Sequence, residues 1–265
     1  MRHHQRVSIM SLGLGQAAGL GQDALFDLFK AAIIHDAGAV TWQEKLALEN
    51  FDTANPWPHC RQGYQLTSGI PTFESVAETI LSHHDHWVGG NPSGLSRSEI
   101  PLSSRIIHLV DRVDVLIRDE VYILEQRREI LQRIRNLSGQ IFDPDLVDLF
   151  SDLTRNEGFW LNLVSPWTYN SLLQLVPFRW IRVTSERLLE LAELFARVVD
   201  AKSPFTYRHS CGVAATAKFL AQKAGLPPKE WALLEVAGLL HDLGKLAVPE
   251  EIIEKPGALT RTEMN

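Results

Sequence analysis

The sequence predicts an all-α protein. Apolar residues recur every three or four positions through most of its 265 residues, and convincing alternation with a period of two is scarce. A hydrophobic fraction of 45% supplies enough apolar material for a substantial core. Leu25, Leu28, Phe29, Ala32 and Ile33 share one face of a helix that runs up to His35. After Pro71, the residues Val76, Ile80 and His83 recur at helical spacing. Residues 106–117 read as a helix, residues 119–136 as a charged one, and residues 184–201 and 209–224 as two more. Between them, FDPDLVDLF and FWLNL read as helical packing segments whose aromatic side chains belong to a core.

The formal net charge is −6 and no Lys/Arg run stands out, which argues against a nucleic-acid polymer as partner. A small anionic substrate remains compatible, because bound metal ions can supply the positive charge that side chains lack. The two cysteines, Cys60 and Cys211, lie far apart and give neither a disulfide framework nor a thiolate zinc site, so a reducing, cytoplasmic setting is expected. Residues 8–20 are mildly apolar but interrupted by Gln16 and several glycines, unlike a signal peptide. No apolar run approaches the roughly 18 residues needed to span a bilayer, so no membrane partner is expected.

One segment occurs twice. With His3 placed on His209 and no gaps, Val7 meets Val213, Gln16 meets Gln222, and Ala18-Gly19-Leu20 meets Ala224-Gly225-Leu226. Further on, Ala31 meets Ala237, His35-Asp36 meets His241-Asp242, and Gly38 meets Gly244. The repeat is too long for a solenoid unit and reads as a duplicated domain start. The boundary falls near Thr184, and the second copy reaches Asn265 soon after its His-Asp pair.

The chemistry lies in an ordered set: His3, His35-Asp36, His59, His83-His84 and Asp111. Imidazoles and carboxylates alone suit borderline divalent ions such as Mn²⁺, Fe²⁺ or Zn²⁺. Helical neighbours point about 100° apart, so adjacent ligands such as His83 and His84 serve two sites or sit at a helix end. A carboxylate such as Asp36 can bridge two cations, and two metals about 3.5–4 Å apart suit in-line phosphoester displacement by a trapped hydroxide. His4, His86 and His108 fall outside the ordered set. The repeat favours His3 over His4, although a residue so near the N-terminus is prone to fraying. Asp85 and His86 stand beside the ligand pair, where a proton relay is conceivable.

These residues resemble the HD superfamily of metal-dependent phosphohydrolases, and more closely its HD-GYP branch. HDLGKLAVPEEIIEKPGALTRTE in the second copy resembles the branch signature. HHDHWVGGNPSGLSRSEIPLSSRIIHLVDRVDVL in the first resembles the stretch with paired histidines, a Gly-Tyr-Pro motif and a last aspartate. The resemblance implies an HD-domain-like helical bundle (residues 1–118), a helical connecting region (119–183) and the N-terminal part of a second HD-GYP domain (184–265). It implies two or three metals, often iron or manganese, and hydrolysis of cyclic di-GMP or the mixed cyclic GMP-AMP. It is also compatible with a homodimer.

Carried over residue by residue, the implied metal ligands are His3, His35, Asp36, His59, His83, His84 and Asp111, with Asp36 as the bridge. The second copy supplies His209, His241 and Asp242, with Lys245 as its phosphate-contacting lysine. The first copy departs from the pattern: Lys245 corresponds to Ala39, Gly-Tyr-Pro reads Gly90-Asn91-Pro92, and a basic stretch is matched by Glu120-Val121-Tyr122-Ile123. Arg105 is the remaining candidate for phosphate contact there. Three readings follow: a cyclic-dinucleotide phosphodiesterase, a metal-binding regulatory or dimerising first domain with catalysis in a complete second one, and an HD hydrolase of other nucleotides. The half-set of ligands in the second copy carries the expectation that the chain is part of a longer tandem protein.

Overall fold

The computed structural model describes residues 2–52, 55–177, 184–201, 209–248, 250–253, 255–261 and 264. Among these, the helices are α1 (His3–Ala17), α2 (Gln22–Ile34), α3 (Trp42–Leu48), α4 (Trp57–Thr67), α5 (Pro71–Leu81), α6 (Leu102–Val115) and α7 (Ile123–Asn136). They continue with α8 (Pro144–Leu153), α9 (Glu157–Val164), α10 (Thr168–Leu175), α11 (Ser185–Ala201), α12 (His209–Lys223), α13 (Pro228–Leu240) and α14 (Glu250–Ile253). The one extended pairing is an isolated bridge between Ser138 and Phe142. The all-α expectation holds. Among the described residues, no helix is long and apolar enough to cross a membrane.

Local chemistry sets the helix ends. Thr41 and Glu44 form a capping box at α3, Asp143 caps α8 ahead of Pro144, and Pro71 opens α5 where its missing N–H costs nothing. The repeated Ala-Gly-Leu triplet is a helix stop. Leu20 N–H donates to Gly15 O at 2.9 Å while Gly19 adopts φ 81°; Leu226 N–H donates to Ala221 O at 3.1 Å while Gly225 adopts φ 72°.

Several expected spans shift. The charged helix begins at Ile123 rather than 119, because the buried Gln126 side chain bonds Arg118 N–H, Arg118 O and Val121 O and fixes a turn there. The helix expected to run up to His35 does so, ending at Ile34 with His35 as its C-cap, whereas the helix after Pro71 ends at Leu81, before His83. Ile33, expected on the buried face, is 39% exposed, and Ala31 is buried in its stead.

Around α1 a single core gathers Val7, Leu14, Leu28, Ile80, Ile106 and Val110 with Ile130, Phe142, Phe150, Trp160 and Leu172. Within the expected connecting region 119–183, residues 123–175 contribute apolar side chains to this core, as expected for FDPDLVDLF and FWLNL. Residues 178–183 and 202–208, near the expected boundary, lie outside the described residues. Helix α11 docks on this unit, where Arg197 donates to Leu66 O and Ser68 O at the end of α4 and Glu190 accepts from the Thr72 N–H and hydroxyl.

The repeated helix pair α12–α13 shares with α11 a much smaller core of Ala192, Ala196, Ala214 and Leu239. Leu14 and Leu28 are fully buried, whereas their counterparts Leu220 and Leu234 are 60% and 37% exposed. The physical difference is cover: α1 packs against α2, α6, α8 and α10, while among the described residues α12 packs chiefly against α13 and α11.

Candidate metal centre

Histidines placed just past a helix end find an orphan carbonyl to hold them. His35 is the C-cap of α2, and its Nδ1–H donates to Ala32 O at 2.9 Å. His83 follows the end of α5, and its Nδ1–H donates to Ile80 O at 2.6 Å. Each bond satisfies a last-turn carbonyl, fixes the tautomer and leaves Nε2 free to ligate. The same device holds His241, whose Nδ1–H donates to Gly238 O at 2.8 Å.

The Nε2 atoms converge on Asp36. Its Oδ2 lies 3.2 Å from His35 Nε2 and 3.4 Å from His3 Nε2; its Oδ1 lies 3.5 Å from His59 Nε2 and 3.8 Å from His83 Nε2. Asp111 Oδ1 closes the first set, 3.4 Å from His3 and 3.7 Å from His35, and its Oδ2 lies 3.7 Å from His84 Nε2. Asp36, His59, His83 and His84 present ligand atoms within 4.8 Å of one another. Ligands sharing one cation at about 2.0–2.2 Å stand about 3–3.6 Å apart, so this spacing suits cations between them. Asp36 Oδ1 and His84 Nε2 are buried with no hydrogen-bond partner, as metal-facing atoms are. The residues present thus fit a pair of divalent ions. Cys60 lies buried beside His59, but burial pushes its thiol well up, so it stays protonated and adds no thiolate.

An outer ring orients these ligands. His3 opens α1 and its Nδ1–H donates to Asp114 Oδ2 at 2.7 Å, while Arg6 Nε donates to Asp114 Oδ1 at 2.6 Å. Arg112 holds Asp111 Oδ2 through Nε at 3.1 Å and Nη2 at 2.8 Å. Behind His84 stands His108, ring centroids 5.2 Å apart, with its Nδ1–H donating to Asp85 O. Removing an outer carboxylate of this kind costs roughly 10–100-fold in metal affinity. Asp114→Ala is therefore expected to weaken metal binding by about that factor with the helical content intact, as a metal titration followed by circular dichroism would show; unchanged affinity would remove Asp114 from this role.

Charge divides the cluster. Burial opposes a charged His35, but the Asp36 carboxylate and hydrogen bonds to Asp111 and Asp36 outweigh it and raise its pKa well above the ordinary value. Burial likewise opposes a charged His3, but Asp114 and Asp36 raise it to about 9. Burial, followed by the charge of His83, lowers His59 to about 3 and holds His84 well below the ordinary range. Asp36 and Asp111 remain ionised, since His35 and Arg112 respectively overcome their burial. In the metal-free protein, protons on His3 and His35 thus stand where cations fit. Metal must displace those protons, so affinity is expected to rise with pH up to about 9 for His3. Titrating Mn²⁺ into lightly buffered protein near pH 7.5 should release at least about one proton per chain; no release would contradict this charge distribution.

All seven ligands expected in the first copy meet at this place. Sequence reasoning passed over His4, whose ring packs 5.0 Å from His3 and 5.3 Å from His35, and over the Arg6, Arg112 and Asp114 supports. The available signal was spacing: Asp111 and Asp114 are one helical turn apart on α6. Arg105 is placed differently from expectation. Its Nη1 donates to Asp143 at 2.5 Å and its Nε to Ile100 O at 2.9 Å, commitments that compete with phosphate contact. Asn91, in place of the expected tyrosine, turns inward and bonds His86 N–H, His86 O and Leu95 O, closing the loop after the histidine pair. In the second copy His209 and His241 approach to 3.3 Å, the same separation as His3 and His35, and Lys245 Nζ lies 2.6 Å from Asp242 Oδ2. That trio is largely exposed.

Comparisons with known proteins agree with this geometry. The family model described as HD domain matches residues 1–146 and 193–265. The chain is 34% identical over 276 residues to the 3'3'-cGAMP-specific phosphodiesterase 1 of Vibrio cholerae serotype O1, covering 99% of this chain and 63% of that protein. It is 28% identical over 165 residues to a cyclic di-GMP phosphodiesterase of Thermotoga maritima, covering 58% of this chain and 44% of the relative. A crystal structure of a cyclic GMP-AMP specific phosphodiesterase from V. cholerae matches with a TM-score of 0.69 and 27% identity, over 98% of this chain and 70% of that one. The chain thus spans under two thirds of the length of these curated relatives.

Proposed function

Because this chain belongs to the HD-domain family of metal-dependent phosphohydrolases, we propose that its first unit hydrolyses a phosphodiester bond of a cyclic dinucleotide, 3′,3′-cyclic GMP-AMP or cyclic di-GMP. The observation that carries the reading is the division of Asp36, whose two oxygens face two different sets of imidazoles. His3, His35, Asp36 and Asp111 would hold one divalent ion, and Asp36, His59, His83 and His84 would hold the other. Manganese or iron suits a donor set of nitrogen and oxygen without thiolate. When bound, such a pair supplies Lewis-acid neutralisation of a phosphodiester and acidifies water. The chain's own residues orient it: Asp114 and Arg6 fix His3, Arg112 fixes Asp111, and two helix carbonyls fix His35 and His83. Beside Asp36 opens a cavity of about 870 Å³, within the ordinary size range of ligand clefts.

In the second unit, His209, His241 and Asp242 form part of a like centre, and Lys245 is the group proposed to meet phosphate there. The two cysteines, Cys60 and Cys211, lie far apart in sequence and offer no disulfide framework, which supports a reducing, cytoplasmic setting. One observation favours a second reading, a regulatory first unit: Ala39, buried, stands where the second unit has Lys245, so one cation is missing beside Asp36. The test is metal content by mass spectrometry together with hydrolysis of 3′,3′-cyclic GMP-AMP, cyclic di-GMP and a bis-aryl phosphodiester by the manganese-loaded chain. Cleavage of a cyclic dinucleotide, lost with Asp36, supports the first reading. Metal bound with no substrate cleaved supports the second.

A further inference from the structure

We propose that Lys45, on α3, supplies the phosphate-contacting charge that Ala39 does not; the proposal deepens the phosphodiesterase reading of the same centre and rests on it. The two copies in this chain frame the problem. In the second, the Lys245 ammonium lies 2.6 Å from Asp242. In the first, the equivalent Ala39 is 2% exposed and carries no charge. A phosphodiester anion approaching Asp36 therefore meets no lysine from this turn, and a side-chain cation beside the metals has to come from another element.

Besides the histidines of the metal centre, the cavity that contains Asp36 and His3 has Arg2, Arg6 and Lys45 in its wall. Arg6 is committed to Asp114 and Asp119, at 2.6 and 2.9 Å. Arg2 donates to Val164 O at 3.2 Å. The Lys45 ammonium makes no hydrogen bond or ion pair among the described residues, and the side chain is exposed. Glu49 and Asp119 also line the wall, so the rim is mixed in sign and Lys45 is its uncommitted cation among the described residues.

The metal centre itself positions α3. Arg112, which holds Asp111 Oδ2, also donates from Nη2 to Leu48 O at 3.1 Å and from Nη1 to Asn50 O at 2.9 Å. One guanidinium thus ties the C-terminal end of α3 to a metal ligand, and Lys45 lies one turn before that end. The Thr41–Glu44 capping box fixes the other end of the helix. Lys45 is therefore carried by a short helix anchored at both ends, beside the reacting region and not on a free loop.

The test uses inorganic phosphate as probe on the manganese-loaded chain, with binding measured by calorimetry at low and moderate salt. Lys45→Gln is expected to weaken phosphate binding about tenfold, the usual size of one charge-assisted hydrogen bond, with a shallower salt dependence. Lys45→Arg should restore most of it, and Lys229→Gln, on the exposed surface of α13, should match wild type. Metal content and melting temperature should be the same in all four proteins, and KM for any cleaved dinucleotide should rise in Lys45→Gln while kcat changes little. Phosphate affinity of Lys45→Gln equal to wild type, or no phosphate binding by wild type, overturns the inference. A lysine effect on phosphate without cleavage of any cyclic dinucleotide leaves Lys45 as the anion contact and sinks the phosphodiesterase reading instead.

Discussion

Asp36→Ala is expected to lower bound metal from about two ions per chain to near zero and hydrolysis by at least about 10³-fold. The size follows from position. The substitution removes one donor from each set at once, since Oδ2 faces His35 and His3 while Oδ1 faces His59 and His83. It also removes one of the two carboxylates whose charge the buried imidazoles require. His35 loses its largest source of a raised pKa, so the metal-free variant should bind fewer protons at neutral pH. Asp36→Asn keeps the shape but loses the anionic charge, and is expected to retain the fold with greatly weakened metal binding. Metal analysis, circular dichroism and turnover together check this. Full metal content and wild-type turnover in Asp36→Ala would show that the bridge is elsewhere.

Gly38→Ala is expected to cost about 3 kcal/mol of stability and to disable the His59 side of the centre. A β-carbon at Gly38 would stand 2.0 Å from His59 O and 2.3 Å from Gly63 N, both backbone atoms that cannot swing aside. The turn after His35-Asp36 and the first turns of α4 approach this closely because His59 must reach Asp36. Any relief separates α4 from the turn and lengthens the 3.5 Å contact between His59 and Asp36. The repeat supplies the control. Gly244, the counterpart of Gly38, has nothing within 4 Å of such a carbon, so Gly244→Ala should change stability by less than about 0.5 kcal/mol. Urea unfolding of both variants, with metal content, decides the matter. Equal behaviour of the two glycines would remove the close approach from the account.

Both substitutions mark what was legible in the sequence. Helical class followed from periodicity, and the seven side chains that gather at Asp36 and Asp111 were legible from their order and from the second appearance of the interval between the lone His and the His-Asp pair. That interval survives folding because the same helix pair and the same Ala-Gly-Leu stop separate the histidines in both copies. The supports were less legible. Arg112 acts on carbonyls of residues 48 and 50, more than sixty positions away, and backbone acceptors leave no signature in side-chain identity. His4 next to His3 could be assigned only once α1 was packed against α2. Arg105 showed the converse: a basic residue in a motif-like stretch found Asp143, which no local pattern announces. The segments FDPDLVDLF and FWLNL were legible as packing segments, and Phe142, Phe150 and Trp160 do join the core around α1; which core they would join was not legible, because that contact is made with helices far away in sequence.

The bonds from His35 and His83 to the last turns of their helices make the centre sensitive to counting. Each imidazole inherits its compass bearing from the helix that ends beneath it, so one residue inserted within α2 would swing the bearing by about 100° and push it forward by about 1.5 Å. Substitutions along the exposed flank of α2 preserve that bearing, whereas any change in its length spoils it. Tolerance to drift in composition and intolerance of indels should therefore coexist within the same thirteen residues.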